Sequence, residues 1–249
     1  MELIFFLFGL FIGSFLNVLA DRLPNGENVL WGRSRCDWCK KTLRWFELFP
    51  LISFLIQKGR CVRCHKKISW QYPLVELGTA FGFGALSIAL LHSPLLLLAA
   101  LIIFCSFFVI FVADAKYQII PDSMIVASSL GSLVWVLQTS SVAHTVVNVC
   151  VGAVSALFFY VIWHVSRGRG MGLGDVKLSG ILGFFLGFPA IVFALYGAFL
   201  TGAAAGVILM ITGHKTLKSK IAFGPFLLFG ALVATVFDQA LLGLWKSIF

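Results

Sequence analysis

The sequence predicts an all-α polytopic membrane protein of about eight transmembrane helices, interrupted by one polar, cysteine-bearing loop. Three observations carry the prediction. The 249 residues are 60% hydrophobic and only 12% charged, with a mean hydropathy of +0.99, far above the roughly 45–50% apolar content of soluble domains. Apolar runs recur along the whole chain, many near the roughly 20 residues needed to cross a bilayer. The cations, finally, fall almost entirely between alternate runs.

The first run, 3–20, opens on Met1-Glu2-Leu3, which carries no Lys or Arg and so lacks the basic region of a secretory signal. Positive charge follows it at Arg22, which predicts a retained anchor. Residues 21–72 form the one long polar stretch and the only candidate soluble subdomain. Inside it, Leu48-Phe49-Pro50-Leu51-Ile52-Ser53-Phe54-Leu55-Ile56 is apolar but too short to span, which predicts an interfacial segment or the filling of a small core. Further runs follow at 73–91, 94–113, 122–138, 144–165, 176–188, 190–212 and 222–244. The run 176–188 is short and adjoins a glycine-rich bend, which predicts a broken helix whose irregular backbone is shielded by protein or lines a wet cavity. Small residues from Gly197 to Gly206 predict close helix packing. No internal repeat at a fixed period and no low-complexity tract is evident.

Segment 21–72 holds eleven Lys and Arg, and 114–121, 166–177 and 213–221 hold one, three and three more. Eight spans place these segments on one side, leaving only Lys246 opposite. The positive-inside rule makes that side cytoplasmic and both termini external. The formal charge of +9 is then topology plus contact with anionic membrane lipid. Without a basic stripe interleaved with aromatics outside the loop, a nucleic-acid partner is not expected.

Cys36-Asp37-Trp38-Cys39 and Cys61-Val62-Arg63-Cys64 are two C-x-x-C pairs separated by residues 40–60. That is one residue past the usual zinc-ribbon spacing. Four converging thiolates complete a tetrahedral Zn²⁺ site with no open position, so the metal would be structural and the loop zinc-ribbon-like. Two disulfides are the alternative, disfavoured in a reducing cytoplasm. His65 adjoins Cys64 as a spare ligand. Cys105 and Cys150 lie inside apolar runs and are expected to pack as small hydrophobes.

Asp114 and Asp175 sit at boundaries of apolar runs, where an acid costs about 2.5–3.5 kcal/mol on insertion scales. Asp175 follows Gly172-Leu173-Gly174 at a helix start, where the dipole favours an anion; capping is its plain alternative. Asp114 lies at a helix end before Pro121, and pairing with Lys116 or Arg167 is its plain alternative. Both belong to cytoplasmic ends, which predicts that they are less buried than their apolar flanks imply. Two such acids brought together can work on a water molecule. Asp122, directly after Pro121, is expected to cap a helix, and Asp238 to be structural or interfacial. Glu76, four residues after Tyr72, is expected to stay solvated. No serine lies in a G-x-S-x-G context and no histidine pair has metal spacing.

These residues resemble those of the bacterial type IV prepilin peptidases, including the competence-type leader peptidases of Gram-positive bacteria. The resemblance rests on Gly13-Ser14-Phe15-Leu16-Asn17-Val18 with Arg22-Leu23-Pro24, the double cysteine pair, Tyr72-Pro73-Leu74-Val75-Glu76-Leu77, the Asp114–Asp122 segment, and Gly172-Leu173-Gly174-Asp175-Val176-Lys177-Leu178. It implies an intramembrane aspartyl endopeptidase of the cytoplasmic (inner) membrane. Such an enzyme removes the short basic leader of prepilins or pseudopilins, in type IV pilus, competence and protein-secretion systems, at the cytoplasmic face. Asp114 and Asp175 match the catalytic positions, with Gly172, Gly174, Lys177, Pro121 and Asp122 as motif support. Many relatives also methylate the new N-terminus with S-adenosylmethionine, which makes Glu76 and Asn17 candidates for methyl transfer. The expected division is 1–92, holding the loop and that activity, and 93–249, the protease core. The chain departs from the pattern at Asp37, where the family usually has Pro, and at Leu48-Phe49-Pro50, which replaces a commonly polar stretch. An ion- or proton-coupled transporter is the alternative reading of the acids, but it needs a polar path that the central and outer parts of the spans do not offer. A scaffold with helix-capping acids is a third reading.

Overall fold

The computed structural model describes residues 1–29, 31–212, 221–237, 240, 243 and 245. The readings given to Asp238, Lys215, Lys218, Lys220 and Lys246 lie outside them. The helices are α1 (Glu2–Arg22), α2 (Ile52–Ile56), α3 (Gln71–Leu90), α4 (Pro94–Tyr117), α5 (Asp122–Thr139), α6 (Val142–Val165), α7 (Leu173–Leu186), α8 (Ala190–Ile211) and α9 (Gly224–Val236). Among the described residues there is no strand, only two isolated bridges in the loop. Each predicted apolar run carries a helix. Five of them, α1, α3, α4, α6 and α8, are long and apolar enough to cross a membrane, which makes this a multi-pass membrane protein.

Contacts divide the chain into two units, Met1–Val109 and Ile110–Phe249. Helix α4 begins in the first and ends in the second. In the first unit α1 and α3 pack antiparallel because glycine lets their backbones meet: a Cβ on Gly13 would lie 2.7 Å from the Glu76 Cα, and one on Gly9 would lie 2.7 Å from the Ala80 Cα. That register sets Asn17 beside Tyr72, whose carbonyl accepts from the Asn17 amide at 3.2 Å.

In the second unit α7 touches α5, α6, α8 and α9. Leu178, Ser179 and Leu182 are fully enclosed. The predicted break is not there: α7 is continuous over 14 residues and is closed by Gly187 at φ 67°. It is short because protein, not lipid, surrounds it, so its length need not match the bilayer.

Candidate active site

Asp114 lies in the last turn of α4 and Asp175 in the first turn of α7. Both are buried, at 5% and 8% exposure, contrary to the expectation from their helix-end positions. The loop between α4 and α5, the Gly172–Gly174 bend and the start of α9 close over those helix ends. Each acid is held through one oxygen by a glycine amide. Gly224 N–H, opening α9, donates to Asp114 Oδ2 at 2.9 Å across 110 residues of sequence. Gly172 N–H donates to Asp175 Oδ2 at 3.1 Å, so Asp175 does cap α7 as well as facing its neighbour. Asp175 Oδ1 is buried and takes no protein hydrogen bond. The two carboxylates are close enough to interact electrostatically, and both amides belong to helix N-termini, whose dipoles favour an anion.

Ile120 fits between the two glycine-opened helix starts. A Cβ on Gly174 would lie 2.9 Å from the Ile120 Cβ, and one on Gly224 would lie 3.4 Å from its Cδ1. Pro121 immediately follows as the N-cap of α5. Asp122 is not the cap predicted for it: its Oδ1 accepts from Lys177 Nζ at 2.6 Å, on the surface. Of the motif residues, Gly172 holds Asp175 directly and Gly174 packs on Ile120, while Lys177 and Asp122 pair with each other at the surface. Neither Ile120 nor Gly224 was singled out from sequence. The one signal for Gly224 is Pro225 beside it, since Pro is favoured in the first turn of a helix.

The second chemical cluster belongs to the first unit. The sulfurs of Cys36, Cys39, Cys61 and Cys64 all lie within 4.8 Å of one another, and Cys36 Sγ is 3.9 Å from Cys64 Sγ. A tetrahedral site with Zn–S of about 2.3 Å needs sulfurs about 3.8 Å apart, so the set fits the ion. The N–H groups of Cys64 and Arg63 hold the Cys61 thiol down to about 6, whereas burial pushes Cys36 up to about 11. The two knuckles are copies 25 positions apart. Cys36 N–H donates to Lys41 O and Leu43 N–H to Ser34 O, as Cys61 N–H does to Lys66 O and Ile68 N–H to Gly59 O. Lys40 and His65 take the same left-handed turn, at φ 54° and 55°. A local repeat therefore exists where none was expected: Arg35-Cys36 to Lys41 echoes Arg60-Cys61 to Lys66.

Around this centre, the Tyr72 hydroxyl contacts carboxylates of both Asp21 and Asp37, at 3.1 and 3.2 Å. Asp37, the departure from the family pattern, thereby tethers the first knuckle to α3. The Arg22 guanidinium donates to the carbonyls of Asn28, Val29, Gly32 and Arg33, organising the loop's first turn. Glu76 is buried rather than solvated because Leu51 covers it, donating its N–H to Oε2 at 2.8 Å. Asn17 is enclosed, with its Oδ1 unpartnered.

The fold and the paired acids define the class: a multi-pass helical membrane protein with a two-carboxylate centre and a separate cysteine centre. The bacterial peptidase A24 N-terminal domain matches residues 7–90, and the type IV leader peptidase family matches residues 101–207. The chain is 31% identical to the prepilin leader peptidase/N-methyltransferase of Bacillus subtilis (strain 168) over 97% of its own length and 96% of the relative's. It is 32% identical to the enzyme of the same name from Dickeya chrysanthemi, over 96% and 93%, and 29% identical to that of Pseudomonas putida, over 93% and 88%. No solved structure matches it. The chain belongs to the type IV leader peptidase family, and it is a peptidase by that membership.

Proposed function

We propose that this protein cleaves the leader from type IV prepilins or pseudopilins at the cytoplasmic face of the bacterial inner membrane, with Asp114 and Asp175 as the catalytic pair. The observation that carries the reading is the buried pair itself, each acid pinned through Oδ2 by a glycine amide. Two neighbouring carboxylates share work on water: one takes a proton from it while the other gives a proton to the scissile carbonyl oxygen. The resulting diol collapses as the leaving amide nitrogen is protonated, and both acids return to their starting state. The unpartnered Asp175 Oδ1 is suited to contact the water or the carbonyl. Ion transport finds no support in the family membership.

The first unit would carry N-methylation of the new N-terminus, with S-adenosylmethionine supplying the methyl group; the relatives are named prepilin leader peptidase/N-methyltransferase. Glu76 on α3 and Asn17 on α1, both buried, would serve it. Cys36, Cys39, Cys61 and Cys64 would hold a structural Zn²⁺, supported by their sulfur spacing. The loop faces the cytoplasm and both termini lie outside. Eight spans would cross, with α5, α7 and α9 joining the five longer helices.

The test is a co-expressed prepilin scored by mass spectrometry. Asp114→Asn and Asp175→Asn, each inserted and folded, should cut leader removal by roughly a thousandfold. Retained cleavage in either variant would remove that residue from the pair. Metal analysis of the purified chain should find one zinc per protein, and freely reactive thiols with no metal would refute the centre.

A further inference from the structure

We propose that residues 45–56 form a re-entrant hairpin that dips into the bilayer beside α1 and α3, with its outer face covered by lipid acyl chains. The sequence is suited to this, since only Glu47 among the twelve residues is ionisable. Glu47 is turned inward, its carboxylate taking Lys41 Nζ at 3.0 Å and the Arg44 N–H at 2.7 Å. The apolar side chains do the reverse. Helix α2 buries none of its residues, and Trp45, Leu55 and Ile56 are 74%, 72% and 76% exposed. A loop standing in water would not carry so continuous an apolar face.

Depth follows from what the hairpin touches. The Phe49 ring lies 5.9 Å from the Phe11 ring. Phe11 is eleven residues inside α1 from Arg22, about 16 Å at 1.5 Å per residue, or about half of a hydrocarbon core of roughly 30 Å. The aromatic ring of Phe11 also leans toward the helix N-terminus, farther from the Arg22 end. The backbone gives a second, independent level: Leu51 N–H reaches Glu76, five residues inside α3 from Gln71, about 7 Å. Arg44 on one side and Lys58 and Arg60 on the other flank the apolar stretch, as head-group contacts flank a membrane segment.

At the tip the chain reverses in three residues. Leu51 takes φ 58° and ψ −47°, and Ile52 N–H donates to Pro50 O at 2.6 Å, a tight turn that is rarely used. Irregular backbone at membrane depth needs every polar group matched inside the protein. Glu76 supplies that match, taking the Leu51 N–H while also bonding the Ser14 hydroxyl. It thereby ties the hairpin tip to both α1 and α3. The occupant of the outer face follows from continuity: Phe8, Phe11 and Phe15, at helical spacing and all exposed, form the outward stripe of a span, and the hairpin's apolar face extends it.

Tryptophan quenching tests the proposal on the full chain. The protein is reconstituted in phosphatidylcholine vesicles with acyl-chain bromines, and the Trp45 signal is obtained by difference against Trp45→Phe. Trp38, on the first cysteine knuckle, serves as the water-side reference through Trp38→Phe. Bromolipid should quench the Trp45 component severalfold more than the Trp38 component, and aqueous iodide should reverse that order. A Trp45 component quenched by iodide and spared by bromolipid would overturn the hairpin. One spared by both would mean that protein, a second copy or a substrate helix, covers the face, and would overturn the lipid assignment. Leu55→Trp, read the same way, decides the matter should Trp45→Phe fail to fold.

Discussion

At the scale of single residues, the acids are set by glycines. A Cβ on Gly224 would lie 2.6 Å from Asp114 Oδ2 and 3.3 Å from its Cγ, so Gly224→Ala should push the carboxylate out of line while leaving the amide in place. Misplacement of a reacting group by about 1 Å costs on the order of a hundredfold in rate. The expected outcome is a large loss in kcat with KM little changed, measured on a prepilin peptide in detergent; a fall in KM-dependent binding alone would assign Gly224 to substrate contact instead. The surface pair of Asp122 with Lys177 is a contrasting case. Both partners are well exposed, so Asp122→Asn should shift folding stability by no more than about 1 kcal/mol, read from the thermal unfolding midpoint. Asp114 and Asp175 were legible in sequence because acids are rare in apolar runs and because their flanking motifs resemble a family. Their burial was not, since Asp114 is held by the start of α9, 110 residues on, and the bend before Asp175 is covered by Ile120, more than fifty residues back.

At the scale of elements, the runs of hydrophobicity located the helices because membrane helices must be apolar along their length. What the runs could not convey is enclosure. The 14-residue α7 reads as a broken span until its neighbours are placed around it. The loop was legible through its cysteines but not through its 25-residue echo, which lies in backbone turns at Lys40 and His65 more than in side chains. If the four cysteines hold Zn²⁺ as proposed, closure of the two knuckles would be coupled to that ion. A chelator should then open residues 33–68 to trypsin, with Lys40, Lys41 and Lys66 among the first sites, and added zinc should restore protection. Protection that survives chelation would show that the tethers from Tyr72 and Arg22 suffice. Glu76 tests the other half of the loop. Glu76→Gln keeps an acceptor for the Leu51 N–H, whereas Glu76→Ala strands that donor at about 1–3 kcal/mol. The alanine variant should unfold at lower temperature and the glutamine variant close to the parent.

At the scale of the whole molecule, the two units hold different chemistry with no residue in common. The carboxylates and their glycine amides all lie within Ile110–Phe249, and the cysteine centre, Asn17 and Glu76 all lie within Met1–Val109. Two family descriptions match the two parts separately. If cleavage and methyl transfer are assigned to the second and first unit respectively, variants should separate them. Asp175→Asn should leave an uncut prepilin unprocessed yet still allow methylation of a pilin supplied with its leader already removed. Glu76→Ala should do the opposite, delivering a cut but unmethylated product, and Glu76→Gln separates two explanations of that loss. Its amide oxygen preserves the hairpin tip, so methylation retained in Glu76→Gln gives the residue a positioning role through Leu51. Methylation lost in Glu76→Gln while its unfolding temperature is kept assigns the carboxylate to the transfer itself. Mass spectrometry of the pilin reports leader loss and the added methyl group, and a folded variant in either unit that abolishes both cleavage of the prepilin and methylation of the pilin supplied without its leader would refute the division of labour.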